Sequence, residues 1–233
     1  MKSAVYFSAV LGWWVLAVWG EARAELSLPA LFGDHLVVQQ GKKVPVWGTA
    51  RPGERVEVRL AHRSARATAD PDGSWRVLLR PLKAGGPHTL TISGESDSIE
   101  VKDVLVGEVW VASGQSNMEW PVRLAKDAET EIGSASYLEI RLFQVGKRVA
   151  EEPQVECRGQ WMVCGPQTIG EFSAVAHFFG RRLHETLQVP VGLIQTAWGG
   201  TPAEAWTSKG TLEAEPDFQP ILARWTEILA NHP

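Results

Sequence analysis

From Leu26 to about Val101 the chain alternates short apolar runs with turn-forming clusters, at the interval of roughly eight to twelve residues expected of a β-sandwich or barrel. The runs are Leu36-Val37-Val38-Gln39, Val44-Pro45-Val46-Trp47, Arg55 to Leu60, Ala65 to Thr68, Trp75 to Leu79 and His88 to Ile92. Val56, Val58 and Leu60 alternate with Glu57 and Arg59, so one side of that strand is buried and the other wet. Pro52-Gly53-Glu54, Asp70-Pro71-Asp72-Gly73 and Ala84-Gly85-Gly86-Pro87 punctuate the runs. In such clusters Gly supplies positive φ and Pro presets a turn corner. The pattern predicts an all-β sandwich module over residues 25–102, immunoglobulin-like or fibronectin-like in outline.

After Glu95-Ser96-Asp97-Ser98 the pattern changes. Val104-Leu105-Val106 and Val109-Trp110-Val111-Ala112 make a nearly continuous apolar run, which predicts a strand covered on both faces in a parallel sheet. Further strands are expected at Ile140 to Phe143, Gly159 to Val163 and Val191 to Ile194. Between the last two, Phe172, Val175, Ala176, Phe179, Leu183 and Leu187 form a helical stripe over residues 172–188. Helix followed by strand is an α/β unit, so residues 103–233 are read as an α/β domain. A last helix is expected from about Asp217, with Phe218, Ile221, Leu222, Trp225, Ile228 and Leu229 on one face.

The first 24 residues stand apart. Lys2 precedes an apolar run from Ala4 to Trp19, closed by Ala22-Arg23-Ala24, the small-x-small pattern of signal-peptide cleavage. Residues 1–24 are therefore read as a secretory signal, with a secreted or periplasmic product and no membrane association after cleavage. Lys and Arg number 23 against 27 Asp and Glu, for a formal net charge of −4 and no basic cluster, which argues against a nucleic-acid partner. The two cysteines, Cys157 and Cys164, lack zinc-site spacing. They lie at opposite ends of one expected strand, too far apart for a disulfide. Free or buried thiols are expected, and no metal.

The sharpest chemical signal is Ser113-Gly114-Gln115-Ser116-Asn117-Met118, directly after the strand ending at Ala112. The turn beyond a parallel strand opens into the ligand crevice, where hydrolytic α/β folds present a nucleophile. A polar loop is the plainer reading of this segment alone. A second glycine-marked strand end is Thr196-Ala197-Trp198-Gly199-Gly200-Thr201-Pro202, where paired glycines permit close backbone approach. The two together describe a site.

With these motifs on the page, the chain resembles the sialate O-acetylesterase family of SGNH (GDSL-like) hydrolases. The resemblance is carried by Val109 to Trp120, Phe172-Ser173-Ala174-Val175-Ala176, Phe178-Phe179-Gly180-Arg181 and Trp198 to Trp206, in order. It implies an α/β fold in which a β-sandwich module precedes a partial flavodoxin-like SGNH domain. Ser116 would be the catalytic nucleophile, its own amide one oxyanion donor and Gly200 the other, with Gln115, Asn117 and Gly199 flanking the site. The implied reaction hydrolyses acetyl esters on sugar hydroxyls through an acetyl-serine, without metal or organic cofactor. The partner would be an acetylated carbohydrate.

The departures are as specific as the match. Neither the family's Trp-Tyr-Gln-Gly-Glu-Ser motif nor its late Asp-x-x-His pair occurs in these 233 residues. The expectation is of a chain that stops within its catalytic domain and is by itself a poor esterase. No general base is assigned. His177 and His184 are read as lying on the solvated side of the helix, His35, His62 and His88 in the β module, and His232 at the end. Glu119 and Glu204 have no paired carboxylate, so each is expected to orient a loop or simply to be solvated. Trp120, Trp198 and Trp206 flank the site, and Trp110 is read as core. The alternative from another class is a non-catalytic carbohydrate-binding protein that retains the pocket.

Overall fold

The structure is a computed structural model that describes residues 25–150 and 152–231. The expected signal at 1–24 and His232 lie outside the described residues. Among the described residues there are ten strands: β1 (Val37–Gln39), β2 (Val44–Thr49), β3 (Arg55–Leu60), β4 (Arg63–Thr68), β5 (Ser74–Leu79), β6 (Gly85–Ser93), β7 (Ser98–Ala112), β8 (Tyr137–Gln144), β9 (Trp161–Cys164) and β10 (Val191–Gln195). The helices are α1 (Ser116–Glu119), α2 (Ala128–Ser134), α3 (Ala174–Leu187), α4 (Lys209–Ala214) and α5 (Gln219–Asn231). None of them is long and apolar enough to cross a membrane.

The fold is mixed α/β. One sheet runs in the order β4-β3-β6-β7-β10-β8-β9, with β1 parallel to β7, and β2 and β5 form a separate antiparallel ribbon. The buried side chains of the ribbon, Val44, Val46, Trp75, Val77 and Leu79, share one core with Val56, Val58, Leu60, Leu90 and Ile92 of the large sheet. A second core lies around α3, where Ile140, Leu142, Val191 and Leu193 meet Phe172, Ala174 and Ala176.

β7 is the element on which the arrangement turns. Its first half pairs antiparallel with β6, its middle with β1, and its last five residues parallel with β10. Residue 102, where the sequence pattern suggests a module boundary, lies inside this strand. The N-terminal strands and the α/β strands are thereby one continuous sheet. Trp161 of β9 adds a tie from the other side, donating its indole N–H to the Leu31 carbonyl at 2.8 Å.

Three expectations are corrected. The end of β7 is not covered on both faces: Trp110 is 45% and Val111 62% exposed. Past Gly107 the strand is paired with β10, and no other strand flanks that stretch among the described residues. Trp110 is half-covered by Phe179 of α3, edge-on at 5.1 Å. Secondly, α3 buries Ala174, Ala176, His177 and Gly180, while Val175, Phe179 and Leu187 of the expected stripe are exposed. Gly180 sets this orientation, since a Cβ there would fall 2.5 Å from Leu193 of β10. Thirdly, α5 buries none of its residues; Trp225, Ile228 and Leu229 face outward.

Candidate active site

The site lies where β7 and β10, neighbours in the sheet, both end. Their ladder continues past the strands: Thr196 N donates to Ala112 O at 3.0 Å and Trp198 N to Gly114 O at 2.9 Å. The Ser116 loop and the Gly199-Gly200 turn are thus zipped together by backbone. Gly114 has φ +133°, a conformation open to glycine, and it releases the chain into the single turn of α1, on which Ser116 is solvent-exposed. Gly199 comes into van der Waals range of the serine: a Cβ built on it would lie 3.5 Å from both Ser116 Cα and Cβ.

The amides of the turn divide into two kinds. Gly199 N donates to the Glu119 carboxylate at 2.5 Å. Gly200, at φ +79°, makes no backbone hydrogen bond among the described residues and has open space around it. Glu119 also forms an ion pair with Lys147, whose ammonium lies 5.5 Å from the Trp198 ring centroid. The bond from Lys147, and then that from the Gly199 amide, hold the Glu119 carboxyl below its ordinary range.

Behind Ser116, Gln195 closes β10 with a side chain that is only 2% exposed. Its Oε1 accepts from Ser173 N at 2.8 Å. The Ser173 hydroxyl caps α3, accepting from Ala176 N at 3.1 Å, and contacts the Met118 sulfur at 3.7 Å. One buried amide therefore fixes strand, helix and nucleophile loop relative to one another. A cavity of about 310 Å³ opens beside Ser116, lined by Trp120, Arg123, Gln144, Glu171 and Gln195. Arg123 and Glu171 pair at 2.6 Å on its rim, and Trp120 is half-exposed. A larger depression of about 580 Å³, between Leu28–His35 and Gly159–Val163, has neither serine nor cysteine in its wall.

Of the residues singled out in the sequence, Ser116, Gln115, Gly199 and Gly200 come together here, with Asn117 exposed on α1 beside them. The Ser116 hydroxyl has one partner among the described residues, Gln115 Oε1 at 3.3 Å. His35 and His184 are committed elsewhere. His35 Nδ1 bonds Asp103 at 2.7 Å, and His184 Nδ1 bonds the Val189 carbonyl at 2.8 Å. His177 is not on a solvated face, as its residue type and position suggest, but fully buried. α3 turns it inward against the Cys164 sulfur, 3.9 Å from Nδ1, and the Tyr137 ring. Its burial, and then nearby Arg181, depress its pKa, and burial pushes the Cys164 thiol up to about 12. Both cysteines are free. Among the described residues no three His, Cys, Asp or Glu side chains are grouped so as to hold a metal.

Two further contributors escape sequence reasoning. Gln195 does carry a signal, as the one polar residue ending an apolar strand. Lys147 carries none, since it sits in no motif and reaches Glu119 through the tertiary path of residues 145–147. Glu204, the other acidic residue near the glycines, is paired with Arg224 of α5.

Comparison with known proteins agrees with this geometry. A family profile described as carbohydrate esterase, sialic acid-specific acetylesterase, matches residues 106–232. Sialate O-acetylesterase of Rattus norvegicus is 35% identical over 201 residues, covering 78% of this chain and 37% of the relative. The Homo sapiens protein of the same name is 36% identical over 203 residues, covering 78% and 38%. A crystal structure of a carbohydrate acetylesterase from Xanthomonas citri superposes with a TM-score of 0.79 at 37% identity, over 81% of this chain and 44% of that one. The chain spans less than two-fifths of the length of these curated relatives. The profile match and the strand-end placement of Ser116 and Gly200 converge on one conclusion: this chain belongs to the family of sialic acid-specific carbohydrate acetylesterases.

Proposed function

We propose that this chain carries the nucleophile and oxyanion part of a carbohydrate O-acetylesterase. The observation that carries the reading is the juxtaposition of an exposed Ser116 hydroxyl with a glycine turn whose Gly200 amide has no hydrogen-bond partner among the described residues. In the proposed reaction Ser116 Oγ attacks the acetyl carbonyl carbon and its proton passes to a general base. The amides of Ser116 and Gly200 donate to the developing oxyanion. The bond to the sugar oxygen breaks, that oxygen takes the proton, and an acetyl-serine remains. Water then releases acetate and regenerates the serine. Trp120 offers a half-exposed indole face on which a sugar ring can stack, and the Arg123–Glu171 pair offers polar contacts to ring hydroxyls.

The single bond of Ser116 Oγ to Gln115 favours a second reading, in which the pocket binds an acetylated carbohydrate without turning it over. One experiment separates them: acetyl release from a chromogenic acetyl ester and labelling by a fluorophosphonate, each with Ser116→Ala alongside. Turnover and labelling that vanish in Ser116→Ala support the esterase. Saturable binding of an acetylated sugar with neither signal supports the binding protein.

A further inference from the structure

We infer that Glu119 is a positioning residue, whose carboxylate, steered by Lys147, clamps the Gly199 amide and so leaves the Gly200 amide free beside Ser116. This rests on the reading of Ser116 as nucleophile and Gly200 as oxyanion donor. The geometry is specific to three segments brought together only by the fold. Glu119 stands on the same turn as Ser116, Gly199 follows β10, and Lys147 follows β8.

The Lys147 segment is itself anchored. Val145 N donates to Gln195 O at 2.9 Å and Gly146 N to Arg158 O at 2.7 Å, so the ammonium is delivered to a fixed place over Trp198. Lys147 takes one carboxylate oxygen and the Gly199 amide the other. Two adjacent glycine amides in a loose turn can exchange roles at an anion. A charge-assisted bond to one of them, roughly twice as strong as a neutral one, removes that ambiguity before substrate arrives. A Cβ at residue 199 would lie 2.9 Å from Glu119 Oε2, so a side chain there would push the clamping oxygen away.

The test uses the full chain and two independent readouts. The first is the Gly199 amide proton, followed by NMR for chemical shift and solvent exchange. In the unaltered chain it is expected downfield, slow to exchange, and to titrate with Glu119 below the ordinary carboxylate range. E119A is expected to speed its exchange by about tenfold or more, the scale of a lost bond to a charged acceptor. E119Q, which keeps one acceptor oxygen, should recover part of the protection, and K147M should fall between. The second readout is the rate of fluorophosphonate labelling at Ser116, expected to slow in the same order at unchanged circular dichroism. Gly199 exchange and shift that do not respond to E119A overturn the clamp. A responsive Gly199 with labelling at the unaltered rate overturns the positioning role. A responsive Gly199 in a chain that never labels supports the clamp and overturns the assignment of Ser116.

Discussion

Arg141 of β8 reaches Asp103 of β7 at 2.8 Å, and it does so with a side chain that is only 5% exposed. Asp103 takes a left-handed backbone conformation, φ +54°, and also accepts from His35 Nδ1 at 2.7 Å. Burial, opposed by the Asp103 charge, lowers the Arg141 pKa, and its Nε has no partner among the described residues. Asp103 is the carboxylate that pairs directly with the guanidinium, and Glu139 adds a weaker, longer-range charge. Asp103→Ala is expected to cost about 3 kcal/mol of stability, since it strands a buried charge. Arg141→Met is expected to cost less, because it removes that charge with the pair. Urea denaturation of both variants checks the order, and equal losses would contradict the argument.

His177 makes stability depend on pH. Its folded pKa lies below the ordinary 6.5, so the unfolded chain binds the proton more readily. The contribution is fully present above the unfolded value and is lost as pH falls from there toward the folded one. The groups around it are Cys164, Tyr137, Phe178, Arg181 and Glu131. Melting temperature is expected to drop as pH falls below about 6.5, and His177→Phe is expected to flatten that drop. A variant whose profile overlays that of the unaltered chain would remove His177 as the cause.

A fragment covering residues 25–102 is expected not to fold alone. It lacks Val104 and Val106, both fully buried in the core that β3 and β6 build, and the Leu105 and Val106 pairs to β1. Circular dichroism of the fragment should show no cooperative melting transition. A sharp transition would establish an autonomous module despite the shared strand.

The two site glycines are expected to respond differently. Gly199→Ala places a methyl against Glu119 and 3.5 Å from Ser116 Cβ, and fluorophosphonate labelling should slow by about tenfold or more, the scale of a displaced bond to a charged group. Gly200→Ala meets no atom within 4 Å but must hold φ +79°, costing about 1 kcal/mol. It should label faster than Gly199→Ala. The reverse order would exchange the roles assigned to the two amides.

Much of this structure is legible in the sequence where periodicity and turn chemistry agree. Val56, Val58 and Leu60 alternate in the sequence and are buried in turn along β3, because one side of an antiparallel strand meets the core. The strand-end position of Ser116 is equally readable, since Ser113-Gly114 directly follows an apolar run. What periodicity does not carry is which side of an element has a neighbour. Val175, Phe179, Trp110 and Val111 read as core because they are apolar, yet all four are exposed, and Phe179 meets Trp110 on the stretch of β7 that has a strand on one side only. His177 read as solvated because it is polar, yet Gly180 on the same side of α3 brings the helix close to β10 and turns the imidazole inward. Lys147 was invisible for a related reason, because its partner is 28 positions away and chosen by the path of the backbone.

The 15 residues of β7, interrupted once by left-handed Asp103, begin among the N-terminal strands and stop four residues short of Ser116. A hinge between two domains needs a segment free to change its torsions, and each part of this one is hydrogen-bonded to a neighbouring strand. A twist applied to the N-terminal sheet is therefore expected to reach the nucleophile turn through this strand. The N-terminal strands act as the mounting of Ser116 and set its heading, where a tethered appendage would leave it unaffected.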